Sequence, residues 1–105
     1  MDSIAQTERG TIDFGASFAS LASEQSVVMG GQTVRLVAFS GTGGWHKHDS
    51  GSETVVVWGG TFDVEYRERT VRLNAGQCTV IAPGDEHRGV SQDGAQIVLF
   101  RAATP

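Results

Sequence analysis

The sequence predicts an all-β fold, a sandwich or barrel of short strands, with one short helix near the N-terminus. The chain of 105 residues holds 14 glycines and only 2 prolines, which suits frequent turns between short strands. From Val27 onward, apolar runs recur between turn signals rich in Gly, Asp and Ser. Several of these runs alternate apolar and polar residues, as strands with one buried face do. Such spacing is typical of a β-sandwich or barrel.

Length and composition favour a single domain over residues 1–105. A net charge of −4 without a Lys/Arg cluster argues against nucleic acid and anionic membranes as partners. The N-terminus lacks the basic start and apolar run of a signal peptide, and no stretch approaches the ~18 apolar residues of a membrane span. We therefore expect a cytoplasmic protein. The single cysteine, Cys78, agrees because one thiol cannot build a disulfide framework, and we expect it to be buried.

The helix is predicted over residues 14–24, after a polar segment, residues 1–10, that we expect to be loose. Asp13 is placed to cap the helix N-terminus. Phe14, Phe18 and Leu21 then recur at helical spacing and form one apolar face.

The predicted strands follow in order and are separated by turns. The first hairpin turns at Gly30-Gly31, between SVVM and TVRLVAFS. A second hairpin is predicted at Gly59-Gly60, between ETVVVW and TFDVEY. Further turns are expected at NAG (74–76), at PGDE (83–86) and at QDG (92–94), before the last strand AQIVLFRA.

Two apolar strand faces bear on a possible pocket. Phe62, Val64 and Tyr66 alternate with acidic residues, so we expect them to line the barrel interior. Core packing is the simpler role for them, whereas Tyr66 could also offer its hydroxyl to a ligand. Val37 and Phe39 are expected on the outer face of their strand, covered by the helix or by a second subunit.

The three histidines and one glutamate form the candidate metal site. His46 and His48 are two residues apart, which on a strand places both rings on one face about 6.6–6.8 Å apart. Glu53 would face the opposite way on a straight strand, so it can join them only if DSGS (49–52) is a turn. His87 follows the PGDE turn, which can direct it inward.

These four residues suit one divalent transition metal, because imidazole and carboxylate together favour such ions. An octahedral ion with four protein ligands keeps two positions open for water, substrate or dioxygen. Taken alone, each histidine is more commonly a surface or hydrogen-bonded residue, so the prediction rests on the combination.

The segment WHKHDSGSETVVVWGG resembles the first motif of the cupin superfamily. That motif runs glycine, five residues, HxH, three or four residues, glutamate, six residues, glycine. His46, His48, Glu53 and Gly60 match it, whereas Ser40 stands where the leading glycine is expected.

The segment GQCTVIAPGDEHRGVS resembles the second cupin motif. Gly76, Gly84 and His87 match it, whereas Ala82 and Ser91 replace the proline and asparagine. The departures affect turns and leave the ligand positions unchanged. The resemblance covers residues 32–100. Among small single-domain cupins, the chain is similar to those with a WHKH core and a preceding short helix.

The resemblance implies a jelly-roll barrel, the double-stranded β-helix, made of two antiparallel sheets. It also implies that His46, His48, Glu53 and His87 lie inside the barrel and bind iron, manganese, nickel, cobalt, zinc or copper. A homodimer is expected, since dimers are common among cupins. The family includes dioxygenases, isomerases, lyases and non-catalytic binding modules, so the fold does not choose the reaction.

Two functions remain open at this point. The first is a metal-dependent enzyme of dioxygenase, isomerase or lyase type that acts on a small organic molecule. The second is a non-catalytic module that binds or senses a small ligand, because no general base other than Glu53 is evident near the ligands.

Overall fold

A computed structural model describes residues 2–3 and 10–102 of the chain. It confirms the predicted class, a mostly β fold with one short helix. The loose segment predicted at residues 1–10 lies mostly outside the described residues. The elements in chain order are β1 (Asp2–Ser3), α1 (Phe14–Ala19), β2 (Glu24–Met29), β3 (Gln32–Thr42), β4 (Glu53–Tyr66), β5 (Thr70–Asn74), β6 (Cys78–Ile81) and β7 (His87–Ala102).

The strands hydrogen-bond in the order β1-β2-β3-β7-β4-β5, with β6 on the other part of β4. Every pairing among β2 to β7 is antiparallel, and β1 alone joins its neighbour β2 in parallel. The two long strands, β4 and β7, pair with each other along much of their length. Together these two paired strands support the candidate site.

The hairpin predicted at Gly59-Gly60 is wrong, because β4 runs through both glycines without reversing. The strand bends there, and its register with β7 shifts around both residues. Gly60 has a φ of +80°, and a Cβ on it would collide with the carbonyl oxygen of Gly94. On the same bend, the Ser91 hydroxyl donates a hydrogen bond of 2.7 Å to the carbonyl oxygen of Thr61. The glycines therefore allow two backbones to approach closely where the strands curve.

The turn predicted at residues 92–94 is wrong for the same reason, since β7 continues through it. The other predicted turns are confirmed. Gly30 and Gly31 both have positive φ values, 61° and 74°, as the tight connection of the β2–β3 hairpin requires. Turns also lie at 75–76 and 83–84.

Helix α1 is shorter than the predicted range of 14–24. Its cap is confirmed, because the Asp13 carboxylate accepts a hydrogen bond of 3.0 Å from the Ala16 backbone N–H. The helix ends at Ala19 because the following segment joins the sheet, where the Ala38 N–H donates to the carbonyl oxygen of Ser23 at 2.8 Å. No helix in the described part of the chain is long and apolar enough to cross a membrane.

Two apolar clusters fill the fold, and β3 contributes to both. The outer cluster lies beneath the helix and centres on four buried residues: Phe18, Val34, Leu36 and Val98. The inner cluster lies within the barrel and includes Val55, Val57, Phe62, Val64, Tyr66, Leu73, Ile81, Ala95 and Ile97.

Two sequence predictions about exposure are wrong. Val37 and Phe39 pack against the inner cluster, whereas the helix covers the opposite face of β3. The charge of Arg35 on the inner face is accommodated by an ion pair with Glu24. Cys78 is exposed because it occupies the outward position of the β6 alternation, as Val80 does two residues later.

Candidate metal centre

The structure brings the three histidines together at one place in the barrel. Ligand nitrogens of His46, His48 and His87 all lie within 4.8 Å of one another. The ring centroids are 4.3 Å apart for His46 and His87, and 5.4 Å apart for His46 and His48. Three imidazoles from two distant parts of the sequence therefore converge on a common point.

Backbone hydrogen bonds hold the two histidine segments side by side. The N–H of each of His46 and His87 donates to the carbonyl oxygen of the other, both at 2.9 Å. One turn away, the Gly84 N–H donates to the carbonyl oxygen of His48 at 2.7 Å. The PGDE turn is thus attached to the WHKH segment, and His87 enters the site in a fixed register with the other two histidines.

Two of the imidazoles are oriented by carbonyl oxygens. The Nδ1–H of His46 donates to the carbonyl oxygen of Gly44 at 3.0 Å. The Nδ1–H of His87 donates to the backbone carbonyl oxygen of Asp85 at 2.8 Å. A carbonyl oxygen only accepts, so Nδ1 must carry the proton in both rings. In the neutral rings Nε2 then holds the free lone pair, as in histidines that bind metals.

Two of the remaining ring nitrogens are buried without a hydrogen-bond partner, whereas His46 is exposed. Nε2 of His48 and Nε2 of His87 both lack a hydrogen-bond partner among the described residues. Buried polar atoms in native proteins are normally paired. Two unpaired nitrogens side by side therefore suit a metal ion, which would accept their lone pairs. Burial also lowers the pKa of His48, and the nearby charge of Arg101 adds to this effect, while Glu53 opposes it. Burial therefore favours the neutral form of the His48 ring, which is the form that binds metals.

Glu53 lies beside this cluster but is not one of the converging group. The predicted turn before it is present, with bends at residues 49–51, and Glu53 is the first residue of β4. Its side chain is buried, and its Oε1 is 3.5 Å from Nε2 of His48. The donor set, three imidazoles and an adjacent carboxylate, fits a divalent transition metal.

A cavity of about 220 Å³ opens at the histidines. It is smaller than the sites that hold drug-sized ligands, about 300–1,000 Å³. Phe62 and Val64 line it, as do all four predicted ligand residues. Tyr66 is buried in the inner cluster but is not among the residues that line the cavity. Its ring centroid is 6.3 Å from that of His87, and burial raises the pKa of its hydroxyl.

Sequence reasoning missed three arginines near the site. Arg35 and Arg88 line the cavity, and Arg101 is close enough to affect the pKa of His48. Arg35 shares a strand face with Val37 and Phe39, so the correct assignment of that face would have revealed it. Arg101 stands opposite Glu53 in the β4–β7 ladder, a long-range pairing that no local pattern shows.

Trp45 supports the site from outside the cavity. Its ring carries the guanidinium groups of Arg67 and Arg88 at 3.9 and 4.7 Å from its centroid. The two arginines are themselves paired, with Glu86 and Glu65. Since Trp45 precedes His46 and Arg88 follows His87, this stack links the two ligand segments on their outer side.

Comparison with known proteins agrees with the geometry. The family model of the Cupin domain matches residues 33–100. Among solved structures, a cupin-2 domain protein from Shewanella frigidimarina is 26% identical, with a TM-score of 0.82 over 89% of this chain and 95% of its own. Protein NMB1881 from Neisseria meningitidis is 22% identical, with a TM-score of 0.83 over 89% and 99%.

KdgF from a Halomonas species is more distant in structure. It is 23% identical, with a TM-score of 0.65 over 77% of this chain and 78% of its own. At these identities the Neisseria and Halomonas proteins show a shared fold only. No curated protein gives a significant match to the chain.

Proposed function

We propose that this chain, which belongs to the cupin domain family, is a metal-dependent enzyme acting on a small organic molecule. One observation carries the proposal: buried, unpartnered Nε2 atoms of His48 and His87 meet His46 in a cavity. We assign His46, His48 and His87 as metal ligands and Glu53 as the fourth. A divalent transition metal bound there would polarise a carbonyl or hydroxyl oxygen, or activate dioxygen.

The cavity favours a small substrate with an apolar part, since apolar residues form much of its wall beside Arg35 and Arg88. Phe62 and Val64 form part of the wall, and Phe39 packs edge-on against Phe62 with ring centroids 5.3 Å apart. Such a wall excludes water and strengthens electrostatic interactions at the site. Tyr66 packs behind this wall in the inner cluster.

Glu53 has a second role in this proposal, that of general base. Among the described residues, Glu53 is the only carboxylate that lines the cavity at the histidines, and it lies beside His48. A carboxylate in contact with both the ligand cluster and the cavity can accept a proton from a bound molecule. Isomerase, lyase and dioxygenase chemistry all fit this arrangement, and an activity screen must choose among them.

The experiment is a turnover screen of the purified protein with iron, manganese, nickel, cobalt, zinc or copper restored. Keto acids, sugars and catechols form the panel, and product formation and oxygen uptake are measured. We expect conversion of at least one compound, its loss on chelation and its return with metal. The His48→Ala variant should be inactive. Conversion that persists in metal-free protein would contradict the proposal.

A non-catalytic binding or sensing module is the second candidate. The observation that favours it is the shortage of acid–base groups, since Glu53 is the one carboxylate of the described residues that lines the cavity at the histidines. A binding module would retain a panel compound saturably and release it chemically unchanged. Isotope exchange into the bound compound would favour the enzyme instead.

The homodimer and the cytoplasmic location stay predictions. Light scattering during size-exclusion chromatography tests the first. Fractionation of cells that express the protein tests the second.

A further inference from the structure

A second, smaller cavity lies next to the metal centre. It measures about 140 Å³ and shares Arg35, Glu53 and Leu99 with the cavity at the histidines. Its remaining lining residues are Thr33, Arg101 and Ala102. Because Glu53 also contacts His48, a molecule that occupies both cavities would extend from the histidines toward the arginines.

Arg101 enters this second cavity with unused hydrogen-bonding capacity. One of its terminal nitrogens, Nη2, donates to the carbonyl oxygen of Ser50 at 3.2 Å. Its Nε is buried and has no partner among the described residues. A buried guanidinium N–H without an acceptor is unfavourable, so an acceptor is expected at this position.

Positive charge exceeds negative charge around the two cavities. Arg35 is neutralised by Glu24, with its Nε donating to Oε2 at 2.6 Å, and Arg88 is neutralised by Glu65. Arg101 has no ion pair with any described residue. A divalent ion at the histidines would add two positive charges, against the single negative charge of Glu53. The combined site therefore favours an anion.

We propose that the ligand of this site is a small carboxylate whose carboxyl group is bound by Arg101, while the rest of the molecule reaches the metal centre. The guanidinium fork matches the two coplanar oxygens of a carboxylate. At the end of the ligand that meets Arg101, the one unpaired guanidinium matches the single charge of a carboxylate. The inference deepens the proposed function and rests on it for the part of the ligand near the histidines.

A structural role for Arg101 predicts something different. Glu53 and Arg101 face each other across the β4–β7 ladder, so the arginine could instead hold the glutamate in place. In that case its loss would weaken metal binding and leave carboxylate binding dependent on the metal alone. The experiment must therefore measure the two kinds of binding separately.

The test is isothermal titration calorimetry with zinc-loaded wild-type protein and its Arg101→Gln variant. The probes are acetate, lactate and pyruvate, each beside its neutral amide, with inorganic phosphate as a further probe. Arg72→Gln is the matched control, since Arg72 is exposed and pairs with Asp63 away from both cavities. Arg101→Lys keeps the charge without the fork, and it carries the test should Arg101→Gln fail to fold.

We expect at least one carboxylate to bind wild type and Arg72→Gln equally, and at least tenfold more tightly than its amide. Its affinity should fall at least tenfold in Arg101→Gln and also decrease in Arg101→Lys, with zinc content unchanged. Equal binding of acid and amide, no binding of any carboxylate, or tighter binding of phosphate would overturn the inference. So would a loss of zinc in Arg101→Gln with carboxylate affinity retained.

Chelator-treated wild type separates this inference from the proposed function. Carboxylate binding that persists without zinc and is lost in Arg101→Gln would support the arginine site even if the protein binds no metal. Zinc binding that is intact in both proteins, with carboxylate affinity unaffected by the variant, would leave the metal centre standing and refute the role of Arg101.

Discussion

The two faces of strand β3 have the same apolar character but different surroundings. On one face, Val34 and Leu36 are 4% and 0% exposed and pack against Phe18 of the helix. On the other, Val37 and Phe39 stay partly buried and line the cavity beside the histidines. The first face is filled by protein atoms, whereas the second borders a space large enough for a ligand.

This difference separates stability from function within one strand. Close packing beneath the helix makes every methyl group there count toward the free energy of unfolding. The residues of the cavity wall are packed less tightly, and the space beside them can hold a small molecule. Substitutions on the two faces should therefore affect different measurements.

Leu36→Ala should produce the largest loss of stability. Removing a fully buried leucine leaves a void under the helix and should lower the free energy of unfolding by about 2–5 kcal/mol. Denaturant unfolding measures the change. Zinc bound per folded chain should equal that of wild type, because Leu36 does not line the cavity. A variant as stable as wild type would show that the outer cluster is not a packed core.

Glu53→Gln should have the next largest effect, on stabilisation by metal. Zinc at about a hundred times its dissociation constant should stabilise wild type by about 2.7 kcal/mol. A tenfold weaker affinity in the variant would reduce this by about 1.4 kcal/mol, since a charged ligand has been lost. Thermal unfolding with and without zinc measures it. Glu68→Gln, at an exposed position, is the control, and equal behaviour of both variants would remove Glu53 from the metal site.

Val37→Ala should cost less stability than Leu36→Ala. Its side chain already borders a cavity, so its truncation enlarges an existing space and should cost about 1 kcal/mol. The affinity for any cavity ligand should change instead. A cost equal to that of Leu36→Ala would mean that the inner face is packed as tightly as the outer one.

Trp45→Leu should have the smallest effect. Two stacked guanidinium groups on this ring contribute about 0.5–1 kcal/mol each at a partly exposed site, so zinc affinity should fall only about threefold. Trp58→Leu is the control, because Trp58 packs on Phe14 away from the histidines. A zinc affinity identical in both variants would show that the Trp45 stack does not position His46.

The fold class and the helix cap could be predicted because each depends on local patterns. The grouping of the three histidines could be predicted because the two segments that carry them resemble the two cupin motifs. The fate of Gly59-Gly60 could not. The same dipeptide suits a hairpin or a bend inside a long strand, and the choice is made by Gly94 on a distant part of β7. The turn predicted at residues 92–94 was misassigned as well, since β7 continues through Gly94.

The assignment of faces on β3 failed for a related reason. Both faces carry apolar residues, and Arg35 on the face of Val37 and Phe39 is of a residue type that usually contacts solvent. Its partner Glu24 lies on β2, in a segment predicted as the end of the helix, so the ion pair that permits an arginine near the cavity was not visible in the sequence. Arg101 was missed because its proximity to Glu53 arises from strand pairing across the whole domain.

The central claim is that His46, His48 and His87 bind a divalent metal, and elemental analysis tests it most directly. Untagged wild type and the His48→Ala variant are purified side by side, and their metal content is measured by mass spectrometry. We expect about one transition-metal ion per wild-type chain and much less in the variant, because removing a ligand weakens the site strongly. Equal metal content in the two folded proteins, or none in either after incubation with metal, would contradict the assignment.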